Sequence, residues 1–171
     1  MTAVRLEPIS STNVKAVFDL QVGPGQEAFV APNPWSLAQA LAEPASSWPR
    51  AIVEGDEVVG FLMLEIDPDD PDGQPFWLWR MMVGVGHQRR GIGTAALALA
   101  LTEVRARGGT ELYTSWVPGD GSPEPFYRGL SFHPTGEVDD GEIVARLVLR
   151  PPEDQRLAAT RNSPSSPGPT G

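Results

Sequence analysis

The stretch HQRRGIGTAALALAL, His87–Leu101, joins a polar loop containing two glycines to an apolar helical run. Apolar residues recur at helical spacing, and Gly108 and Gly109 form a stop signal, so the pattern predicts a helix from about Gly91 to Arg107. Main-chain N–H groups at the start of such a helix have no partner inside it. With the helix dipole and two arginines beside them, they predict an anion site that matches a diphosphate best.

Two other phosphate-binding patterns fit this loop less well. A P-loop needs Lys and then Ser or Thr after its last glycine, whereas Ile92 and Gly93 follow Gly91 here. GIGTAA matches the dinucleotide pattern G-x-G-x-x-A, but that pattern opens a parallel α/β domain, and an antiparallel meander is expected before it. The remaining alternative is structural: the glycines permit a tight helix entry and the arginines are solvated.

Strand-like and helical runs on both sides of the loop predict the rest of the fold. Upstream, AVRLEPI reads as a strand, STNVKAVFDL and PWSLAQALAE as helices, and RAIVE, EVVGFLMLEI and PFWLWRMMV as a meander. Downstream, TELYTSWV, SPEPFYRGL, SFHPTGEV and EIVARLVL read as strand, short helix and closing hairpin. The order β-α-α-β-β-β-α-β-α-β-β predicts an α/β (α+β) fold whose mixed, mostly antiparallel sheet is flanked by helices. On the second helix, the spacing places Trp35, Leu37, Ala38 and Leu41 on one apolar stripe.

Composition limits the class of protein. The 171 residues predict one domain, 1–150, followed by a Pro/Ser/Gly-rich tail, 151–171, that is expected to be disordered. The absence of cysteine and the presence of only two histidines leave no thiolate site or cysteine nucleophile and make a metal site unexpected. The net charge of −9 disfavours binding to nucleic acid or anionic membranes. With no signal-like or membrane-spanning run, we expect a soluble, cytoplasmic protein.

MMVGVGHQRRGIGTAAL resembles the acetyl-CoA motif of the GCN5-related N-acetyltransferase (GNAT) superfamily, a strand followed by Q/R-x-x-G-x-G/A and a helix. EPFYRGLSF resembles the family's short helix ending in LYxxxGF, with Tyr127 at its tyrosine. The resemblance covers roughly Val4 to Leu149. It implies the GNAT fold, acetyl-CoA as co-substrate, no metal, and direct acetyl transfer to a primary amine.

A narrower resemblance concerns the acceptor. FVAPNPWSLAQAL, FWLWRMMV, TSWVPGDGSPEPFYRGLSF and GEIVARLVL are similar to the bacterial spermine/spermidine (diamine) N-acetyltransferases. This similarity implies a small-molecule polyamine such as spermidine or spermine as acceptor. A peptide N-terminus or an aminoglycoside as acceptor, a non-catalytic acyl-CoA-binding regulatory module and a homodimer stay open.

The resemblance also implies residue roles. Tyr127 would be the general acid that protonates the departing thiolate. The implied acetyl-CoA contacts are Met81, Met82 and Val83 on the entering strand, the loop residues Gln88, Arg89, Arg90, Gly91, Ile92 and Gly93, and Asp120, which replaces the Asn that commonly contacts the pantetheine arm.

A polyamine site needs acidic groups for the remote ammonium and aromatic walls for the methylene chain. The candidates are Glu27, Trp35, Glu43, Trp79 and Glu142. The strand FWLWRMM carries no carboxylate where some family members have Glu. The base is therefore expected to be a water chain or a carboxylate elsewhere.

Overall fold

A computed structural model describes residues 3–149. Its elements are β1 (Val4–Pro8), α1 (Val14–Asp19), α2 (Asn33–Ala42), β2 (Ser47–Glu54), β3 (Glu57–Ile66), β4 (Phe76–Val83), α3 (Ile92–Ala106), β5 (Glu111–Trp116), α4 (Glu124–Gly129), β6 (His133–Asp139) and β7 (Glu142–Val148). A single 3-10 turn, Val85–His87, stands between β4 and α3. The predicted element order is confirmed, while the tail 151–171, predicted to be disordered, lies outside the described residues.

The strands form one seven-stranded sheet in the order β1-β2-β3-β4-β5-β7-β6. The neighbouring pairs are antiparallel except β4 and β5, which run parallel and are connected through α3. The β2–β3 hairpin turns at Gly55, whose φ of +62° is a conformation that glycine adopts without strain. The predicted mixed, mostly antiparallel sheet is confirmed.

The sheet has a hydrophobic core on each face because apolar side chains occupy both sets of alternating positions in its central strands. In β3, Leu62 and Leu64 pack in the core under α3 and α4, whereas Phe61 and Met63 pack in the core under α1 and α2. All four side chains are fully buried. Each contributes about 1.5–3 kcal/mol relative to an exposed side chain, so the central strands form a rigid frame for the loops.

The stripe predicted on α2 is partly wrong. Trp35 and Leu41 are 59% and 83% exposed, and the buried residues of the helix are Asn33 and Ser36. Asn33 Nδ2 donates to the Val17 carbonyl oxygen at 2.9 Å. A buried amide needs such a partner, and this bond turns a polar face of α2 toward α1.

The neighbouring strands β4 and β5 separate soon after they meet. They pair only at Trp77 and Tyr113, and the Thr114 hydroxyl donates to the Leu78 carbonyl oxygen at 3.1 Å. In the β3–β4 ladder, Leu78 and Arg80 oppose consecutive residues of β3, so Trp79 is an extra residue in β4. Such a bulge bends a strand, and β4 continues to Val83 beside β3 while a gap opens toward β5.

None of the helices within residues 3–149 is both long enough and apolar enough to cross a membrane.

Candidate active site

A cleft of about 780 Å³ occupies the gap between β4 and β5. One end is formed by the loop before α3 and the first turn of that helix. The other end is formed by side chains of β4, β5 and β7, with the 22–32 segment along one side. Tyr127 of α4 also lines the cleft.

The α3 end of the cleft presents unpaired main-chain donors. Within residues 3–149, no main-chain N–H from Gln88 to Thr94 donates a hydrogen bond, and the first that does is Ala95, to the Gly91 carbonyl oxygen at 3.0 Å. Gly91 is the N-cap of α3 with a φ of +78° and no side-chain cap. Free N–H groups and the positive end of a 15-residue helix make this end suited to an anion.

Close packing at Gly93 brings α3 against the cleft wall. A Cβ at this position would lie 3.2 Å from Phe126 Cζ and 3.3 Å from Met81 Cε, which is tighter than ordinary van der Waals contact. The glycine therefore lets the helix start lie directly beside β4 and α4.

The two arginines of the loop point to different surroundings. Arg89 lines the cleft. Arg90 does not, because its Nη2 pairs with Glu54 Oε2 at 2.8 Å and its Nη1 lies 3.3 Å from His87 Nδ1. Of these two arginines, Arg89 is therefore the one that adds its charge directly to the cleft.

Gln88 links the loop to β4 and to the 22–32 segment. Its Nε2 donates to the Val83 carbonyl oxygen at 3.0 Å and to Gln26 Oε1 at 2.8 Å, and Gln26 Nε2 donates back at 3.3 Å. Gln26 Oε1 also accepts from the Gly23 main-chain N–H at 2.9 Å. Sequence reasoning missed Gln26, because an isolated glutamine in a loop carries no signal of a partner 62 residues away.

Tyr127 is held by three aromatic neighbours. Its ring stacks on Trp116 at a centroid distance of 5.7 Å and makes edge contacts with Phe126 at 5.3 Å and Phe132 at 5.5 Å. Burial raises the pKa of Tyr127 to about 12, with the Thr114 side chain opposing the rise and the charge of Glu142 adding to it. The phenol is therefore protonated throughout the neutral range.

The opposite end of the cleft carries a carboxylate and a guanidinium. Glu142, at the start of β7, accepts a hydrogen bond from the Ser115 hydroxyl at 2.5 Å. Arg80 of β4 donates to the Trp79 carbonyl oxygen at 2.6 Å and to Gln39 Oε1 at 3.2 Å. Burial lowers the pKa of Arg80, while Glu142 and Glu65 act in the opposite direction.

The structure brings most, but not all, of the sequence candidates together. Those that line the cleft are Glu27, Trp79, Met81, Met82, Val83, Gln88, Arg89, Gly91, Ile92, Gly93, Tyr127 and Glu142. Arg90, Asp120, Trp35 and Glu43 are not part of its lining, although Gly121 beside Asp120 is. Sequence reasoning missed Ser115 and Arg80, which the strand pattern alone does not distinguish from solvent-facing polar residues.

Groups of three or more His, Cys, Asp or Glu side chains that could hold a metal ion do not occur within residues 3–149.

Solved structures share this architecture. An acetyltransferase from Thermus thermophilus superimposes with a TM-score of 0.68 and 20% identity, covering 87% of this chain and 100% of that one. The PaiA N-acetyltransferase from Thermoplasma acidophilum, in complex with coenzyme A, gives 0.65 and 12% over 85% and 99%. A GNAT family acetyltransferase from Elizabethkingia anophelis with acetyl-CoA bound gives 0.59 and 14% over 85% and 98%. The fold is therefore that of the GNAT acetyltransferases.

The sequence itself matches the model of the Acetyltransferase (GNAT) family over residues 14–132, and the chain belongs to this family. It is accordingly an acetyltransferase that uses acetyl-CoA as donor. A comparison with curated proteins found no match.

Proposed function

We propose that this chain transfers the acetyl group of acetyl-CoA to a primary amine, with Tyr127 as the general acid. The observation that carries the proposal is one continuous cleft. It runs from the free N–H groups at the start of α3, past the buried phenol of Tyr127, to the carboxylate of Glu142. A site for a diphosphate, a proton donor and a site for a cationic amine thus lie along a single path.

The residues of the α3 end fit acetyl-CoA. The unpaired N–H groups from Gln88 to Thr94 would bind the diphosphate, and the charge of Arg89 would add to this attraction. The open side of β4 at Met81, Met82 and Val83 offers main-chain groups to the pantetheine arm. Bound acetyl-CoA supplies a thioester whose carbonyl carbon is open to attack by an amine.

Tyr127 is suited to protonate the departing thiolate. Its pKa of about 12 keeps the hydroxyl protonated at neutral pH, and the surrounding rings fix its position. A thiolate that leaves beside this hydroxyl takes its proton, which is general-acid catalysis. A non-catalytic module would not need a buried phenol in the cleft.

The acceptor end of the cleft carries both acidic and basic side chains. Glu27 and Glu142 in the cleft support a cationic amine, and Trp79 offers an aromatic wall. The resemblance of the sequence extends the proposal to a polyamine such as spermidine or spermine. Arg80, in the same cleft, opposes a polycation, so the proposed acceptor class is a primary amine and the polyamine is its narrower form.

A panel of acceptors tests both the general proposal of a primary amine and its narrower polyamine form. Thiol release from acetyl-CoA is measured with spermidine, spermine, putrescine, a monoamine of similar length, peptides and aminoglycosides. Thiol release with at least one amine, together with the acetylated amine in the mass spectrum, supports the proposal. Failure of every acceptor, with acetyl-CoA bound normally in calorimetry, contradicts it and favours a binding module.

Salt dependence tests the narrower form. The net charge of −9 should attract a polycation, and the screening length falls from about 20 Å to about 4 Å between roughly 0.02 and 0.5 M salt. The kcat/KM of spermidine should exceed that of the monoamine at low salt, and this advantage should shrink as salt rises. If the monoamine has the higher kcat/KM at low salt, the polyamine form is wrong, and the proposal of a primary amine is unaffected.

A further inference from the structure

We propose that Glu142 accepts the proton that leaves the attacking amine and returns it to Tyr127, an inference that rests on the proposed function. An amine that forms an amide bond must lose a proton, and β4 carries no carboxylate to take it. Among residues 3–149, the carboxylates that line the cleft are Glu27 and Glu142.

Contacts of Glu142 leave one of its oxygens available. Oε2 is held by the Ser115 hydroxyl at 2.5 Å, and Oε1 accepts no hydrogen bond from residues 3–149. Glu142 begins β7 opposite Asp139 of β6, so its backbone is part of a hairpin ladder. One oxygen is therefore fixed by a donor on β5, and the other is free to face an incoming amine.

Charged and titratable groups on several elements surround Glu142. The guanidinium of Arg80 on β4 interacts with it electrostatically. Tyr127 on α4 is neutral and feels its charge, since Glu142 contributes to the raised pKa of the phenol. The acids on neighbouring segments are Asp139 and Asp140 of the β6–β7 hairpin, Glu65 on β3, which also acts on Arg80, and Glu27 on the 22–32 segment. Glu142 is thus a carboxylate within electrostatic reach of the acid of the reaction.

Glu27 has none of these relations. It lies on an exposed stretch of the 22–32 segment, and it does not contribute to the pKa of Tyr127 or of Arg80. Glu142 is therefore the carboxylate that is placed both to accept the proton of the amine and to return a proton to Tyr127.

Protons are conserved in the reaction when Glu142 and Tyr127 act together. The bond from nitrogen to the acetyl carbon forms while the carbon–sulfur bond breaks, and the sulfur keeps the bonding pair. The nitrogen proton passes to the Glu142 carboxylate, and the thiolate takes the proton of the Tyr127 hydroxyl. The Glu142 carboxylic acid then protonates the Tyr127 phenolate across the cleft, which restores both groups without net loss of a proton.

Glu142→Gln tests the assignment, because the amide keeps an oxygen for the Ser115 hydroxyl but cannot accept the proton. At saturating amine and neutral pH, kcat should fall about 100-fold or more, while acetyl-CoA affinity by calorimetry and the melting temperature stay near those of the wild type. The deficit in kcat should shrink as pH rises toward about 9.5, because hydroxide then replaces the missing carboxylate. Glu137→Gln, an exposed acid of the same hairpin, is the matched control.

A second variant separates proton transfer from structure. In Glu142→Ala, formate should restore part of the lost kcat, and chloride at the same concentration should not. A kcat in Glu142→Gln equal to that in Glu137→Gln, a deficit that is constant with pH, or equal effects of formate and chloride would each overturn the assignment. So would a pH-dependent loss found in Glu27→Gln instead. Wild-type inactivity toward every amine would instead refute the proposed function together with this inference.

Discussion

The two ends of the cleft are assembled from different parts of the chain. At the α3 end, the polar groups belong to consecutive residues, Gln88 to Thr94, and most of them are main-chain N–H groups. At the far end, they are side chains of Arg80, Ser115 and Glu142, which come from three strands. The first end depends on backbone conformation and the second on side-chain identity.

This contrast indicates how the two halves can diverge. A site made of main-chain groups needs glycine at a positive φ and free N–H groups at a helix start. Few substitutions in such a site improve binding. A side-chain site changes its preference with one substitution on any of three strands. We therefore expect the ends to respond separately: changes at the α3 end should alter acetyl-CoA affinity, and changes at the far end should alter turnover and acceptor choice.

Tyr127→Phe is expected to give the largest effect, and this effect should be confined to turnover. The ring contacts with Trp116, Phe126 and Phe132 do not involve the hydroxyl, so the fold should persist. Loss of a general acid typically lowers kcat about 10²- to 10⁴-fold. Steady-state kinetics and calorimetry should show this fall with little change in acetyl-CoA affinity. A decrease of less than about threefold, under conditions where chemistry limits the rate, would assign the acid elsewhere.

The pH dependence of the wild type should follow from the same residue. As the proposed general acid, Tyr127 would act in its protonated form, and its pKa of about 12 places the loss of that proton far above neutrality. The kcat at saturating substrates should therefore show no decline between about pH 7 and pH 10 from ionisation of a tyrosine, whose usual pKa is about 10. A decline centred near pH 10 that vanishes in Tyr127→Phe would contradict the buried, neutral phenol.

Among variants at the α3 end, Gly91→Asp should cause the largest loss of acetyl-CoA affinity. Its φ of +78° strains any side chain, and a carboxylate there would repel a diphosphate. Gly91→Asn is the matched control, because Asn has nearly the same shape, tolerates this conformation better than most residues and carries no charge. We expect acetyl-CoA affinity to fall about 100-fold in the Asp variant and much less in the Asn variant. Equal losses in calorimetry would show that shape, not charge, matters.

The contrast also explains what the sequence could predict. The α3 loop is a contiguous motif whose spacing, glycines and helix boundary are visible in one stretch, and the order of helices and strands along the chain follows from local turns and periodicity. The buried face of α2 is not local, because it depends on the bond from Asn33 to the Val17 carbonyl oxygen. The partnership of Gln26 with Gln88, and that of Ser115 with Glu142, depend on how distant segments meet.

Ser115→Ala should produce a moderate effect at the far end. It removes the hydroxyl that donates to Glu142 at 2.5 Å. A hydrogen bond to a charged group is worth about 1.5–3 kcal/mol, and part of this should appear as a fall in kcat of roughly 5- to 30-fold with unchanged acetyl-CoA affinity. Ser115→Thr keeps a hydroxyl and suits a strand, so it should restore most of the rate. Equal kinetics in the Ala and Thr variants would remove Ser115 as a positioning residue.

Arg89→Ala and Arg90→Ala should give the smallest effects. Together they distinguish the roles of the two arginines at the α3 end. Arg89 lines the cleft, so its loss should weaken acetyl-CoA binding by about 3- to 10-fold at low salt and by less at high salt. Arg90 pairs with Glu54, whose side chain is only 13% exposed, so its loss should lower the melting temperature by about 1–4 °C and change acetyl-CoA affinity by less than about threefold. Calorimetry and thermal melts on both variants measure this reciprocal pattern. Comparable losses of affinity in the two variants would mean that Arg90 leaves Glu54 when acetyl-CoA binds, and that the charge of the loop, not only its backbone, defines the α3 end.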